Sequence, residues 1–165
     1  MPVFVHELRF ADLPTHVVEQ GQRCVLDLLG VGAVGAGTQL SRLTCEHAAR
    51  HFGAVGTGAR MLFDGRRVSP VGAALAGGMT IDSLDGHEGH SLAKGHVGAA
   101  LLPALLALAD GDVGLDGPEL LTGLVGGYEV GIRAGMTLMP RPLSTMSPAL
   151  GMHWPVRQRL HACCG

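Results

Sequence analysis

The sequence predicts an all-α, bundle-like helical domain carrying one short β-hairpin near residues 60–69. Three observations carry that expectation. Apolar residues recur at helical spacing over residues 13–29, where Val17, Val18, Gly21, Val25, Leu28 and Leu29 share a face, and over 38–52, where Leu40, Leu43, His47, Ala48 and Ala49 do. The run GHVGAALLPALLALAD, residues 95–110, is apolar nearly all round and so belongs at the centre of a helical core. In DGPELLTGLVGGYEVGIRAG, residues 116–135, glycines at 123, 127, 131 and 135 make one smooth stripe. Each costs about 1 kcal/mol of helix propensity relative to Ala, so close packing of a second helix against the stripe is the expected compensation.

Taken in chain order, Asp12 or Thr15 can cap the first helix, and Gly53 is a natural stop for the second. Between them, residues 30–35 read as a flexible helix-to-helix connection. The string RMLFDGRRVS, residues 60–69, reads as two extended pieces about Asp64-Gly65, because Gly tolerates the positive φ of a tight turn. Pro70 can open a third helix through residue 76. Pro103 either starts or kinks the central apolar helix. Asp116 is placed to cap the last one, with Pro118 in its first turn.

A chain of 165 residues that is 47% apolar and 16% charged is sized for one modest domain and is not disordered. Twelve Lys and Arg against fourteen Asp and Glu leave a net charge of −2, which gives no electrostatic footprint for nucleic acid. The longest uncharged apolar stretch, residues 97–109, contains Pro103 and falls well short of the roughly 20 residues a bilayer span needs. The N-terminus, MPVFVHELRFADLP, lacks the basic-then-apolar order of a secretory signal, so the expected address is cytoplasmic. Cysteines at 24, 45, 163 and 164 have neither a C-x-x-C pair nor zinc-site spacing, and Cys24 and Cys45 read as small buried hydrophobes.

Two motifs match in letters only. Residues 30–35, GVGAVG, satisfy G-x-G-x-x-G, but a helical segment precedes them and Arg50 and His51 stand where an acidic ribose contact belongs. His87-Glu88-Gly89-His90 spaces its histidines three apart, where a zinc-protease helix needs four. A metal held by His87, His90, His96 and a nearby Asp is the remaining metal reading. The stretch that can carry chemistry is IDSLDGHEGHSLAKGHVGA, residues 81–99, which crowds His87, His90 and His96 with Asp82, Asp85, Glu88 and Lys94. Histidine takes and returns protons near neutrality, and a lysine beside it can hold a carboxylate. A solvated loop capping two helices would carry the same residues.

The run SPVGAALAGGMTIDSLDGHEGHSLAKGHVGAALLPALLALADG, followed by GPELLTGLVGGYEVGIRAG, resembles the MmgE/PrpD family, which includes 2-methylcitrate dehydratase, cis-aconitate decarboxylase and iminodisuccinate epimerase. Leu84-Asp85 and His96 stand where members carry Leu-Asp and, after a polar loop, a His before the apolar helix. The loop departs from the family's consecutive acids and His-Pro pair, reading Asp-Gly-His-Glu-Gly-His and then Lys94-Gly95-His96-Val97, as in a variant subgroup.

The resemblance implies cofactor-free proton traffic at a carbon next to a carboxylate, with no metal. The substrate implied is a small di- or tricarboxylic acid, and the reaction a dehydration or, in the same family, an epimerisation of an amino- or imino-dicarboxylate. It implies His96 and Asp85 as catalytic residues, with His96 the acid/base, and Lys94, His87 and His90 as substrate-binding residues, Lys94 as the carboxylate clamp. Asp82 is expected to cap, Tyr128 and Glu129 to belong to helix packing, and His16 to lie apart from the acid/base cluster. The apolar helix and the glycine stripe are expected to need partners outside this chain, and family members are commonly homodimers. Residues 1–147 are expected to form a truncated helical domain without the family's α+β lid. Residues 148–165, with the only Trp and a vicinal Cys pair, read as an atypical tail of a shifted frame. On that reading this chain alone is nearly inactive, an inert helical fragment or interaction domain being the limiting case.

Overall fold

The capping residues set the helix starts. In the computed structural model, which describes residues 2–111 and 114–138, with side chains from residue 5 onward, Thr38 accepts from the Ser41 amide at 3.1 Å and opens α3, Gln39–His51. Ser69 accepts from the Gly72 amide at 3.2 Å and, with Pro70 behind it, opens α4, Pro70–Asp82. Asp116 and Glu119 exchange reciprocal amide bonds of 2.8 and 2.9 Å, a capping box that opens α6, Gly117–Leu138. The remaining helices are α1, Pro2–Glu7; α2, Thr15–Gly35; and α5, Val97–Asp110, with a 3-10 turn over Phe10–Asp12. Pro14, rather than Asp12 or Thr15, occupies the N-cap of α2, and Asp12 instead accepts from the Arg9 amide. The architecture is all-α with a single antiparallel hairpin, as the sequence predicts. The expected domain end at 147 and the tail 148–165 lie outside the described residues.

The hairpin is short, as expected. Strands β1, Ala59–Arg60, and β2, Arg67–Val68, pair Ala59 with Val68. The Met61 carbonyl accepts from the Asp64 and Gly65 amides, Gly65 having φ +84°. Arg66 fastens the turn to Asp64 at 2.7 Å and to Glu46 of α3 at 2.8 Å. Cys45, Ala48, Ala59, Met61, Val68, Ala73, Ala76 and Ala107 close one buried cluster over it.

Helix α2 runs through the glycine motif at 30–35, which is therefore not a connection; the turn comes at residues 36–38. A Cβ at Gly32 would sit 2.9 Å from Phe63, and one at Gly35 would strike the Thr80 carbonyl, so these glycines let α2 lie directly on α4 and the hairpin turn. The same physics carries α4 six residues past the expected end at 76. A Cβ at Gly77 would meet Pro103 at 2.8 Å and one at Gly78 the Ala99 carbonyl at 3.2 Å, so α4 and α5 pack nearly backbone to backbone. Pro103 lies inside α5 rather than at its start, seated against Gly77. Buried hydroxyls of Ser41 and Thr80, 2.7 Å apart, join α3 to α4.

The glycine stripe finds its helix within the chain. Gly123 faces Leu105, Gly127 faces Leu101, Gly131 faces Val97 and Gly135 faces Ala93, so α6 lies antiparallel along α5 with its smooth side inward. Each partner takes the volume the other lacks. The helix expected to pack against the stripe is thus α5 of the same chain. Leu28, Ile81, Ala99, Leu102 and Leu124 make the second buried cluster, directly beneath the first turn of α5. Among the described residues no single helix is long and apolar enough to cross a membrane.

Candidate functional site

The loop between α4 and α5 spans residues 83–96. It is pinned by its own backbone: His90 bridges to Gly95, the His90 amide donates to the Gly95 carbonyl at 3.2 Å, and the Lys94 amide donates to the His90 carbonyl at 2.9 Å. Asp85 and Lys94 hold φ of +47° and +53°, conformations that side-chain-bearing residues adopt at a cost of order 1 kcal/mol or more. The two strained residues bracket the segment where the charged side chains gather.

His96 occupies the N-cap of α5, yet its side chain does no capping. Its Nδ1 lies 2.6 Å from the main-chain carbonyl of Glu88. A carbonyl only accepts, so Nδ1 carries the proton, and in the neutral ring the lone pair is on Nε2. That nitrogen is 3.6 Å from Asp85 Oδ1, with both side chains open to solvent. A protonated Nε2 would therefore meet a carboxylate. His87 is different. Its side chain is wholly buried, with Nε2 3.2 Å from Asp82 Oδ1 and Nδ1 3.4 Å from the Glu88 carbonyl, and its ring stands edge-on to His96. Asp82, expected to cap, instead holds His87.

The other candidates lie elsewhere on the loop. His90 accepts the Ala93 amide at Nδ1, 3.2 Å, so its ring proton is on Nε2 when neutral. It lines a cavity of about 560 Å³ between α2, α6 and the loop, together with His16, Arg23, Glu88, Tyr128 and Glu129. His16, distant in sequence, thus lines the same cavity as His90. Lys94 is exposed and makes no ion pair among the described residues. The structure brings His96, Asp85 and His87 together with Asp82, places His90 on the cavity wall, and leaves Lys94 at the loop surface. Among the described residues no group of three or more His, Cys, Asp or Glu is disposed to hold a metal ion.

Glu88 is the residue sequence reasoning missed. Its amide donates to Asp27 of α2 at 3.0 Å, its carbonyl takes the His96 proton, and its buried Oε1 accepts from the Gly98 amide at 2.7 Å. The carboxylate so caps the first turn of α5 from outside the helix, at the end where a negative charge is favoured. Gly98 makes room: a Cβ there would strike the Tyr128 hydroxyl, Glu88 Oε1 and Leu28. Glu88 Oε2 is buried without a hydrogen-bond partner among the described residues, and burial, with the Glu88 carboxylate next, pushes the Tyr128 phenol well above its ordinary range. Tyr128 therefore stands at the site wall as well as in the helix packing. The one signal in the sequence was a glycine two residues after His96 in an otherwise Ala- and Leu-rich helix.

Residues 1–152 match the MmgE/PrpD N-terminal domain. Over 141 residues the chain is 29% identical to the cis-aconitate decarboxylase-like protein oryM of Aspergillus oryzae, covering 82% of this chain and 29% of that one. It is 28% identical to cis-aconitate decarboxylase of Aspergillus terreus over 77% of this chain and 26% of that protein. It is 28% identical to the human cis-aconitate decarboxylase over 64% and 22% respectively. The chain thus spans less than a third of the length of these relatives.

Proposed function

The chain belongs to the MmgE/PrpD family, and from that premise we propose that it supplies the proton-transfer half of a cofactor-independent lyase site for small di- or tricarboxylic acids. The observation that carries this reading is the fixed polarity of His96: Nδ1–H is committed to the Glu88 carbonyl, and the basic Nε2 faces open space beside Asp85. In a dehydration, Nε2 takes the proton from the carbon next to a carboxylate and the C–H electron pair becomes an enolate-like carbanion; that pair then forms the C=C bond as the β C–O bond breaks, and the His96 imidazolium gives its proton to the departing hydroxyl, which leaves as water. Asp85 favours the imidazolium so formed, and Lys94 holds a substrate carboxylate. His90, from the cavity wall, is a further carboxylate contact, and His87 acts through its ring contact with His96. The 2-methylcitrate type is the specific dehydration proposed.

A second reading is favoured by the relatives, each named for decarboxylation of cis-aconitate or likeness to it. There the C–C bond to a carboxylate breaks, CO2 leaves, and the imidazolium of His96 protonates the carbanion left behind. Epimerisation would need only the first proton transfer and its reversal on the opposite face. Cytoplasmic location and homodimer formation accompany the family reading as proposals.

Hydrogen exchange tests the shared step without requiring a complete reaction. In D2O, NMR of citrate, 2-methylcitrate, cis-aconitate and aspartate with the purified chain should show deuterium entering next to a carboxylate of at least one acid, and His96→Gln should slow it at least tenfold. Product signals would then separate loss of water, loss of CO2 and epimerisation. Exchange no faster than in buffer, or unaffected by the substitution, overturns the proposal.

A further inference from the structure

We infer that Glu88 is the positioning residue of this site: its carboxylate, bound to the Gly98 amide, fixes the main-chain carbonyl that commits the His96 proton to Nδ1. The inference rests on the proposed role of His96 as the base. A histidine placed at a helix N-cap ordinarily has two competing demands, since the unpaired amides of the first turn seek an acceptor and the ring seeks a partner. Here the demands are divided. Glu88, eight residues upstream, satisfies the Gly98 amide, and His96 makes no capping bond. The same residue then presents its carbonyl to His96 Nδ1 at 2.6 Å. Its amide is held in turn by Asp27 at 3.0 Å, so bonds to Asp27, His96 and Gly98 hold one residue on both of its peptide planes and by its side chain. Two of them, those of the amide and the carboxylate, set the direction of the third.

Gly98 completes the arrangement. Only a residue without Cβ leaves room for the carboxylate between the helix backbone and Tyr128, and the acid is buried. In the absence of this clamp the carbonyl would keep only the longer, 3.4 Å approach of His87 Nδ1, and the ring of His96 would distribute its proton between both nitrogens. A fraction of molecules would then present N–H, not a lone pair, to the substrate.

Two substitutions separate clamp from charge. Glu88→Gln keeps an oxygen for the Gly98 amide, whereas Glu88→Ala does not; Asp27→Ala releases the other end of the peptide and serves if Glu88→Ala fails to fold. Long-range 1H–15N correlation of the His96 ring reads the tautomer directly. We expect the Nδ1–H form in the natural chain and in Glu88→Gln. In Glu88→Ala or Asp27→Ala we expect a mixture, with substrate hydrogen exchange slowed about tenfold or more and restored by Gln at position 88. An unchanged tautomer in the folded Ala variants, or a mixture already in Glu88→Gln, overturns the inference. A tautomer that shifts as expected in proteins that exchange no substrate hydrogen overturns the lyase reading instead, and leaves the role of Glu88 standing.

Discussion

The ring of His87 stands edge-on to that of His96, with centroids 4.5 Å apart and planes at 81°, and only His96 reaches solvent. Two histidines that look equivalent in the sequence thus divide the work. The buried ring, held by Asp82, forms the back wall against which the exposed ring is set.

Substitution should separate the two. His96→Gln is expected to slow proton transfer by a factor of about 100 to 10,000 with little change in stability, since a half-exposed ring is replaced. His87→Ala removes a fully buried, hydrogen-bonded ring and should cost about 1–3 kcal/mol of stability. Urea unfolding and hydrogen exchange, measured on both variants, check the division. Equal loss of stability in both would contradict it.

What the sequence disclosed follows from how local each signal is. Pro70 and Asp116 announce helix starts because a helix's first turn is an interaction within four residues, and Asp64-Gly65 announces a turn for the same reason. The glycine stripe at 123–135 was legible as a contact surface, although not that α5 would fill it. The ends of α2 and α4 were illegible because Gly32, Gly35, Gly77 and Gly78 lower helix propensity locally and are compensated only by elements distant in the chain. Within the site, His96 and Asp85 stood out by residue type and by resemblance. Glu88 did not, because each of its three partners is set by the tertiary fold: Asp27 is 61 residues away, and Gly98 matters for the side chain it lacks.

The two ends of the GVGAVG motif offer a direct test of that packing. A methyl group added to Gly30 would have nothing within 4 Å, so Gly30→Ala should stabilise the chain by about 0.5–1 kcal/mol through helix propensity. A methyl group added to Gly35 would strike the Thr80 carbonyl and lie 2.7 Å from Ser83 Oγ, so Gly35→Ala should destabilise by about 1–3 kcal/mol. Chemical denaturation reads both, and changes of the same sign would defeat the packing explanation.

Asp110 predicts an acid limb. Hydrogen bonds from the Arg60 side chain and then its amide hold the carboxyl down at about 2, against an ordinary value of 3.8. Because the folded value lies below the unfolded one, the contribution of this pair is fully present above pH 3.8 and is lost as pH falls through about 2. Carboxyl 13C titration should place Asp110 near 2, and Arg60→Ala should return it towards 3.8. A natural chain titrating at 3.8 would show that the pair does not persist in solution.

Tyr128 supplies the alkaline counterpart, and it can be read without isotopes because it is the only tyrosine in the chain. Burial raises its phenol above the ordinary 10, with the neighbouring Glu88 carboxylate adding to the effect. The folded value exceeds the unfolded one, so this stabilising contribution is complete below pH 10 and declines as pH rises above it, when only the unfolded chain ionises. Tyrosinate absorbance should therefore appear at a pH above 10, together with the loss of helical circular dichroism rather than before it. Tyr128→Phe removes the ionisable hydroxyl and should abolish the alkaline decline. Ionisation near pH 10 in a chain that stays folded would mean that the hydroxyl is open to water.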